Sequence, residues 1–190
     1  MTSTVEGEVV RGHRVVLREK LPSDAEDDYA WRSDPELARF DAARPFTASF
    51  EDYMALYEDE LAYPSPFRHT LAIEDDSGRH IGNVMYYNID HARGEAELGI
   101  TIGVREYWGQ GCGGDAVRTL LLHLFTKVGL KRVHLKTLDW NERARRCFEK
   151  AGFVTYGTSH RGGHDFILME ARREWLDLDP PDGADADPAG

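Results

Sequence analysis

The run Trp108-Gly109-Gln110-Gly111-Cys112-Gly113-Gly114 decides how the rest of this chain is read. Before it lies a strand-like segment, Glu95–Val104. After it, Val117, Leu120, Leu121, Leu124 and Val128 form an apolar stripe at helical spacing. The pattern predicts strand, glycine loop and a long helix over 115–128, with Gly129 as its C-cap. Glycines at such a junction let the backbone turn sharply and bring its N–H groups close to a ligand. The helix start adds unpaired donors and partial positive charge, a combination that suits a pyrophosphate. A Walker A loop is excluded because no Gly-Lys-Ser/Thr follows. A dinucleotide Rossmann unit would need an early βαβ unit, whereas this strand ends a long antiparallel run. A plain glycine turn is the bland alternative, and the helix directly behind the glycines argues against it.

Upstream, His13–Arg18 alternates as a first strand that Pro22 ends, and Ser23 with Glu26 reads as a capping box for a helix through about Trp31. Asp34-Pro35 caps a short helical piece, and Ser49 with Asp52 starts a helix from Phe50 to about Ala62. Pro64 and Pro66 break it. Arg68–Glu74 and Arg79–Ile89 then form a hairpin around Asp75-Asp76-Ser77-Gly78. Downstream come a strand, Arg132–Leu138, a helix, Asn141–Ala151, stopped by Gly152, and the strands Phe153–Tyr156 and Asp165–Ala171. Residues 1–12 are read as an N-terminal extension, 13–176 as one domain, and 177–190 as an acidic disordered tail by composition.

The 190 residues are enough for one domain with a real core, and no stretch approaches the roughly 18 apolar residues of a membrane span. Met1–Glu6 has neither the basic nor the apolar region of a secretory signal. Cys112 and Cys147 have no metal-type spacing and form no disulfide framework, so a reduced cytoplasm and no metal are expected. The net charge is −11, yet residues 105–150 carry ten Lys/Arg against five Asp/Glu. That balance does not suit a nucleic-acid binder, which needs a broad positive face. It suits a protein that holds one anionic ligand and attracts or tolerates a cationic one.

The segment Asn141-Glu142-Arg143-Ala144-Arg145-Arg146-Cys147-Phe148-Glu149-Lys150-Ala151-Gly152-Phe153 is ordinary alone: Asn141 can cap a helix, and Arg145, Arg146 and Lys150 can form a solvated face. Together with the glycine run it changes meaning. Ala96-Glu97-Leu98-Gly99-Ile100-Thr101-Ile102-Gly103, Tyr107–Ala116, Asn141–Ala144 and Phe148–Phe153 closely resemble the GNAT acetyltransferase superfamily, and within it the RimJ/RimL-type branch. The resemblance spans roughly 13–171 and is dense over 95–153.

That resemblance implies an α/β fold: a mixed, mostly antiparallel sheet that splays open after the strand holding Ile100 and Ile102, flanked by helices. It implies acetyl-CoA as cosubstrate. Backbone groups of Ile102 and Val104 would pair with its pantetheine arm, Gln110, Gly111, Cys112, Gly113 and Gly114 would take the pyrophosphate, and Asn141 would hold the pantetheine end. Arg105, Arg146 or Lys150 would meet the 3′-phosphate. The reaction is direct attack of an amine on the thioester. Glu97, beside the splayed strand, is the candidate general base, against a solvated strand residue as the bland reading.

Phe148 departs from the pattern, since the branch usually has a tyrosine there that protonates the leaving thiolate. Tyr86 and Tyr87 are the available substitutes, and a non-catalytic CoA-binding or sensing module is the rival that Phe148 keeps alive. A different acyl donor or an O-acceptor is the rival among enzymes. Cys147 reads as packing rather than nucleophile, and His134, His160 and His164 read as strand or loop surface. Asp24–Asp28 and Glu58-Asp59-Glu60 fall on segments that wall the acceptor side in this family. An acidic rim there would attract a polyamine, an aminoglycoside or a basic N-terminus, against acidity for solubility alone. Dimers are common in the family, so a homodimer is also implied, although no exposed stripe marks an interface.

Overall fold

The computed structural model describes residues 7–176. Eight strands form one sheet in the order β1-β2-β3-β4-β5-β6-β8-β7. They are β1 (Glu8–Arg11), β2 (Val15–Glu19), β3 (Arg68–Asp75), β4 (His80–Asp90), β5 (Glu95–Ile102), β6 (Arg132–Leu138), β7 (Val154–Arg161) and β8 (His164–Arg172). Every pairing is antiparallel except β5 with β6. The mixed, mostly antiparallel sheet that the resemblance implies is the one found.

Helices cover both faces, which is why Val15, Val16 and Leu17 of β2 are buried in succession instead of alternating. On one face lie α4 (Cys112–His123), extended by a π-helical stretch at Leu124–Val128, and α5 (Glu142–Ala151). Val117, Leu120, Leu121 and Leu124 of the apolar stripe pack there on Ile81, Val84, Leu98 and Val133. On the other face lie α1 (Ala25–Ser33), α2 (Pro35–Phe40) and α3 (Phe50–Ala62), with a smaller aromatic core around Tyr53 and Tyr57.

The capping signals were mostly sound. Asp34 accepts from the N–H groups of Glu36 (2.8 Å) and Leu37 (3.2 Å), and Ser49 with Asp52 closes a capping box at the predicted residue. Ser23 is not a cap. A 3₁₀ turn at Pro22–Asp24 leads into α1, and the buried Asp24 receives Leu21 N–H at 2.8 Å and Arg18 at 2.8 Å. A carboxylate beside a buried guanidinium outcompeted the hydroxyl. The sheet also begins earlier than His13: Glu8–Arg11, read as extension, pairs with β2. Helix α4 likewise starts at Cys112, so Gly113 and Gly114 are inside its first turn rather than in a loop before it. The stretch read as an acidic tail lies outside the described residues.

Strands β5 and β6 pair only at Glu95–Arg132, Ala96–Val133 and Glu97–His134. Beyond that, β5 stays with β4 as far as Gly82–Ile102, while β6 stays with β8 as far as Leu138–Phe166. The two halves of the sheet therefore part after Glu97 and leave a wedge.

Candidate active site

The wedge opens into a cavity of about 940 Å³. Gly103 N–H donates to Ile81 C=O at 3.0 Å, which fixes the alternation of the ladder. The backbone groups of Leu98, Ile100 and Ile102 therefore point away from β4, toward the opening. Ile102 keeps its N–H on that side, but its C=O accepts the Trp108 indole N–H at 2.8 Å. Val104 differs from expectation. Its N–H goes to Ile81 C=O (3.3 Å) and its C=O takes Tyr107 N–H (3.1 Å), so neither group is open to a ligand; Ile100 is the better-placed partner of Ile102.

At the end of the cavity the chain enters α4 through Gly111, at φ +87°, a conformation that a side chain with Cβ adopts only under strain. Cys112, Gly113 and Gly114 occupy the first three helical positions, whose N–H groups have no intrahelical acceptor. Gln110 N–H is already bonded to Tyr107 C=O at 3.2 Å, which removes it from the expected donor set. The Cys112 side chain is buried in the core, and burial pushes both thiols above their usual range, Cys147 included. Neither has the environment of a nucleophile.

The basic groups sort themselves. Arg105 is clamped by Asp34 (2.7 Å) and Glu36 (2.7 Å), so it holds α2 and drops out as an anion ligand. Arg146 lines the cavity and pairs with Glu142 at 2.9 Å, and Lys150 lines it too. Arg143 lies 4.0 Å over the Trp108 ring and Arg14 lies beside Gly111, positions that no local sequence signal marks as ligand-facing. Arg14 is brought there by Asp115, whose carboxylate accepts the N–H groups of His13, Arg14 and Val15 at 3.2, 2.7 and 3.2 Å. Asn141 caps α5 through its side-chain oxygen (Ala144 N–H, 3.2 Å) and lines the cavity, leaving its NH₂ for a ligand. Free helix-start donors with Arg14, Arg143, Arg146 and Lys150 nearby fit a diphosphate-bearing ligand.

Phe148 packs at the cavity wall, 7% exposed, with its ring edge-on to Phe153. Tyr86 does not line the cavity, and its hydroxyl lies 3.0 Å from His69 Nδ1. Tyr87 does line it, but burial and the nearby Glu97 carboxylate raise its pKa. His134 is half-buried on β6, and His160 binds Asp165 at 2.7 Å in the exposed β7–β8 hairpin.

Glu97 is poorly placed for the role of base. It is 7% exposed and does not line the cavity. Its carboxylate accepts from Lys136 (3.0 Å) and Asn88 (3.1 Å). Burial alone would raise its pKa, but Lys136, Tyr87 and Asn88 more than offset that, and it is lowered. A carboxylate held in its charged form by an ammonium and an amide donor is a weak proton acceptor.

A second cavity, about 710 Å³, lies between the sheet and α1–α3. The acidic rim expected there is largely engaged internally: Asp24 with Arg18, Asp28 with Lys20 at 2.8 Å, and Asp27 with His80 at 3.2 Å. Of Glu58, Asp59 and Glu60 only Glu60 lines it, opposite Arg32, Arg44 and Arg68. The two cavities share four residues, Asp41, Arg68, Met85 and Thr101.

A sheet split beside a parallel pair, with a glycine-set helix start at the end of the split, defines an acyl-CoA-dependent acyltransferase fold. The acetyltransferase (GNAT) domain model matches residues 14–154, and the chain belongs to that family. It is an acetyl-CoA-dependent N-acetyltransferase. It is 26% identical over 152 residues to the uncharacterized N-acetyltransferase p20 of Bacillus licheniformis, covering 79% of this chain and 84% of the relative. Its fold matches that of spermidine N-acetyltransferase from Vibrio cholerae in complex with CoA and spermine, with TM-score 0.75 at 22% identity over 85% of this chain and 96% of the other. It also matches AAC(6')-Ib in complex with Parmomycin and AcetylCoA, with TM-score 0.71 at 23% identity over 89% of this chain and 99% of the other.

Proposed function

We propose that the chain transfers acetyl from acetyl-CoA to a primary amine carried by a polyamine, an aminoglycoside or a protein N-terminus, as a RimJ/RimL-type member of its family. The observation that carries this reading is the meeting of two cavities. One ends at the free N–H groups of Cys112–Gly114, and the other is walled by α1–α3. In this reading the thioester enters along β5 between Ile100 and Ile102, with the diphosphate at the start of α4 and Asn141 near the pantetheine. Arg146 and Lys150 are the residues for the 3′-phosphate, joined by Arg14 and Arg143. The amine arrives from the other cavity, whose walls carry four carboxylates, Glu19, Asp28, Asp41 and Glu60, beside Lys20 and three arginines. Such a lining suits an amine that also bears polar or anionic groups as well as it suits a bare polycation.

No side chain is assigned to protonate the thiolate; CoA thiol is a good leaving group, and water reaches the wedge. No helix of the described residues is long and apolar enough to cross a membrane. The two free thiols fit the reducing cytoplasm in which we place the enzyme. A homodimer belongs to the same reading.

The test follows CoA release from acetyl-CoA in the presence of spermidine, an aminoglycoside panel and peptides with free N-termini. Amine-dependent release is expected, and the preferred amine identifies the acceptor class. Tight acetyl-CoA binding without release to any amine would move the sensing-module reading ahead.

A further inference from the structure

A transfer between two bound molecules takes place where their cavities join. Of the four residues shared by the two cavities, Asp41 is the one carboxylate. We propose that Asp41 is the catalytic base of this enzyme, receiving the proton of the acceptor ammonium. The assignment rests on the reading of the chain as an amine acetyltransferase with its two cavities occupied as described above.

The local fold places this side chain with care. Helix α2 ends at Phe40, and Asp41 caps it, its N–H reaching Leu37 C=O (3.3 Å) and Ala38 C=O (3.2 Å). Ala43 N–H then bonds Ala38 C=O at 2.9 Å and Ala42 N–H bonds Arg39 C=O at 3.2 Å, the paired pattern of a Schellman ending. That ending needs a left-handed residue just past the cap. Ala42 supplies it at φ +51°, a position where glycine is usual and alanine is strained. Strained backbone of this kind gathers at functional sites. Here it fixes the direction in which Asp41 leaves the helix. Arg105, clamped on Asp34 and Glu36, pins the start of the same short helix. The Asp41 carboxylate lies 3.4 Å from Thr101 Oγ1, on the strand that flanks the wedge.

The surroundings suit the task. Asp41 is an exposed residue whose carboxylate opens onto both cavities, with the walls of both around it. That enclosure raises its pKa to about 6, with Thr101 and Arg32 pulling the other way. Arg32 faces it from α1, Arg68 from β3, Tyr87 from β4 and Thr101 from β5, and Arg44, on the loop after α2, lines the same second cavity. A carboxylate titrating near 6 is charged at neutral pH and accepts a proton more readily than one at the ordinary value. Arg68, at the same junction, is a cation and cannot.

The step balances. The ammonium gives one proton to the Asp41 carboxylate, and the freed nitrogen lone pair bonds to the thioester carbonyl carbon. The C–N bond forms and the C–S bond breaks, its electron pair leaving on sulfur. The second nitrogen proton ends on that thiolate, directly or through water. Asp41 returns its own proton to solvent. The products are the amide, CoA thiol and one proton.

The experiment compares wild type, Asp41→Asn and Glu97→Gln in the CoA-release assay, using the best amine among spermidine, the aminoglycoside panel and the N-terminal peptides. The asparagine keeps size and the backbone cap. The expected result is a fall of about 100-fold or more in kcat/KM for the amine in Asp41→Asn. Acetyl-CoA affinity, measured separately by calorimetry, should stay within about twofold. In wild type kcat/KM should climb with pH through an acid limb near 6, which Asp41→Asn should lose and Glu97→Gln should keep. Asp41→Asn within about threefold of wild type, or with the limb intact, overturns the assignment and leaves the amine acetyltransferase reading standing. A wild type that binds acetyl-CoA but releases none to any amine overturns both.

Discussion

On the face carrying α4 and α5, the groups we propose for the cosubstrate include a main-chain set: the N–H of Ile102, the open side of Ile100, and the first-turn donors Cys112–Gly114. On the face carrying α1, α2 and α3, the groups that would meet the acceptor are side chains from distant segments, Arg32, Asp41, Arg44, Glu60 and Arg68 among them. The difference has a physical consequence. A backbone-built site needs particular φ angles and small residues, and these leave a short local motif. A site built from side chains needs only that far-apart elements converge, which leaves no motif at all. The first face is therefore written into one stretch of chain, and the second depends on how securely α1–α3 are fastened to the sheet.

That fastening is the place to break the comparison with the largest effect. Arg18 is 3% exposed and is held by Asp24 at 2.8 Å and by Glu74. Replacing Asp24 with Ala should destabilise the fold by about 3–5 kcal/mol, because it leaves a buried guanidinium short of its partner. Burial opposes the charged form of Asp24, but Arg18, Lys20 and Leu21 N–H more than offset it and hold the pKa at about 2, against 3.8 ordinarily. A depressed carboxylate stabilises the native state above its unfolded pKa and loses that contribution as pH falls through the folded value. Urea titrations from pH 6 down to pH 2 should therefore show wild type losing stability toward the lower end, with a shallower slope in the variant. A loss below about 1 kcal/mol at neutral pH would show that α1 is fastened by packing instead.

The cofactor face is broken by Gly111→Val. A β-branched residue at φ +87° is strained by about 2 kcal/mol, and relaxing the strain tilts the first turn of α4. Acetyl-CoA should bind about 30-fold more weakly by calorimetry, with the thermal unfolding midpoint lowered by a few degrees. Unchanged affinity would mean that the side chains Arg14, Arg143, Arg146 and Lys150 hold the diphosphate and the backbone does not.

The same contrast explains what was legible in the sequence. The Asn141, Asp34 and Ser49 caps each depend on residues within four positions of one another, and each was found where expected; the glycine run was as local a signal, although α4 begins inside it at Cys112. The splayed sheet followed from the resemblance carried by residues 95–153, and the three-pair contact of β5 with β6 bears it out. Asp41 carried no signal. It caps a short helix, and its place at the junction of the cavities arises from elements far away in the chain, Arg68 and Thr101 among them. Glu97 carried a misleading one, because a carboxylate beside a splayed strand looks free until Lys136 and Asn88 are placed against it. Ser23 lost its capping role for a related reason: Arg18 on the preceding strand captured Asp24.

A subtler way to sharpen the comparison is Ala42→Gly, which puts on the acceptor face the residue type that shapes the cofactor face. Relief of the left-handed alanine should stabilise the folded protein by up to about 1 kcal/mol, partly offset by the entropy glycine adds to the unfolded chain. Chemical unfolding measures it directly. A destabilised variant would mean that the Ala42 methyl group makes packing contacts worth more than the strain.

The smallest effect should come from the residue whose position in sequence was most suggestive. In Glu97→Gln the carboxamide is nearly the same shape and still accepts from Asn88, while the ion pair with the half-exposed Lys136 is lost. A partly screened pair of this kind contributes about 0.5–1 kcal/mol, so the melting temperature should fall only slightly. If Glu97 only steadies the end of the β5–β6 contact, turnover should stay within about threefold of wild type, the pH dependence should keep its acid limb, and KM for acetyl-CoA should not move. A loss of 100-fold in kcat with acetyl-CoA affinity intact would return the proton-accepting role to Glu97. The Lys136 pair would then have to open during turnover, and Asp41 would be left as a binding group for the acceptor. The two single variants, measured over the same pH range, separate a base on the wall of the cavities from one behind it.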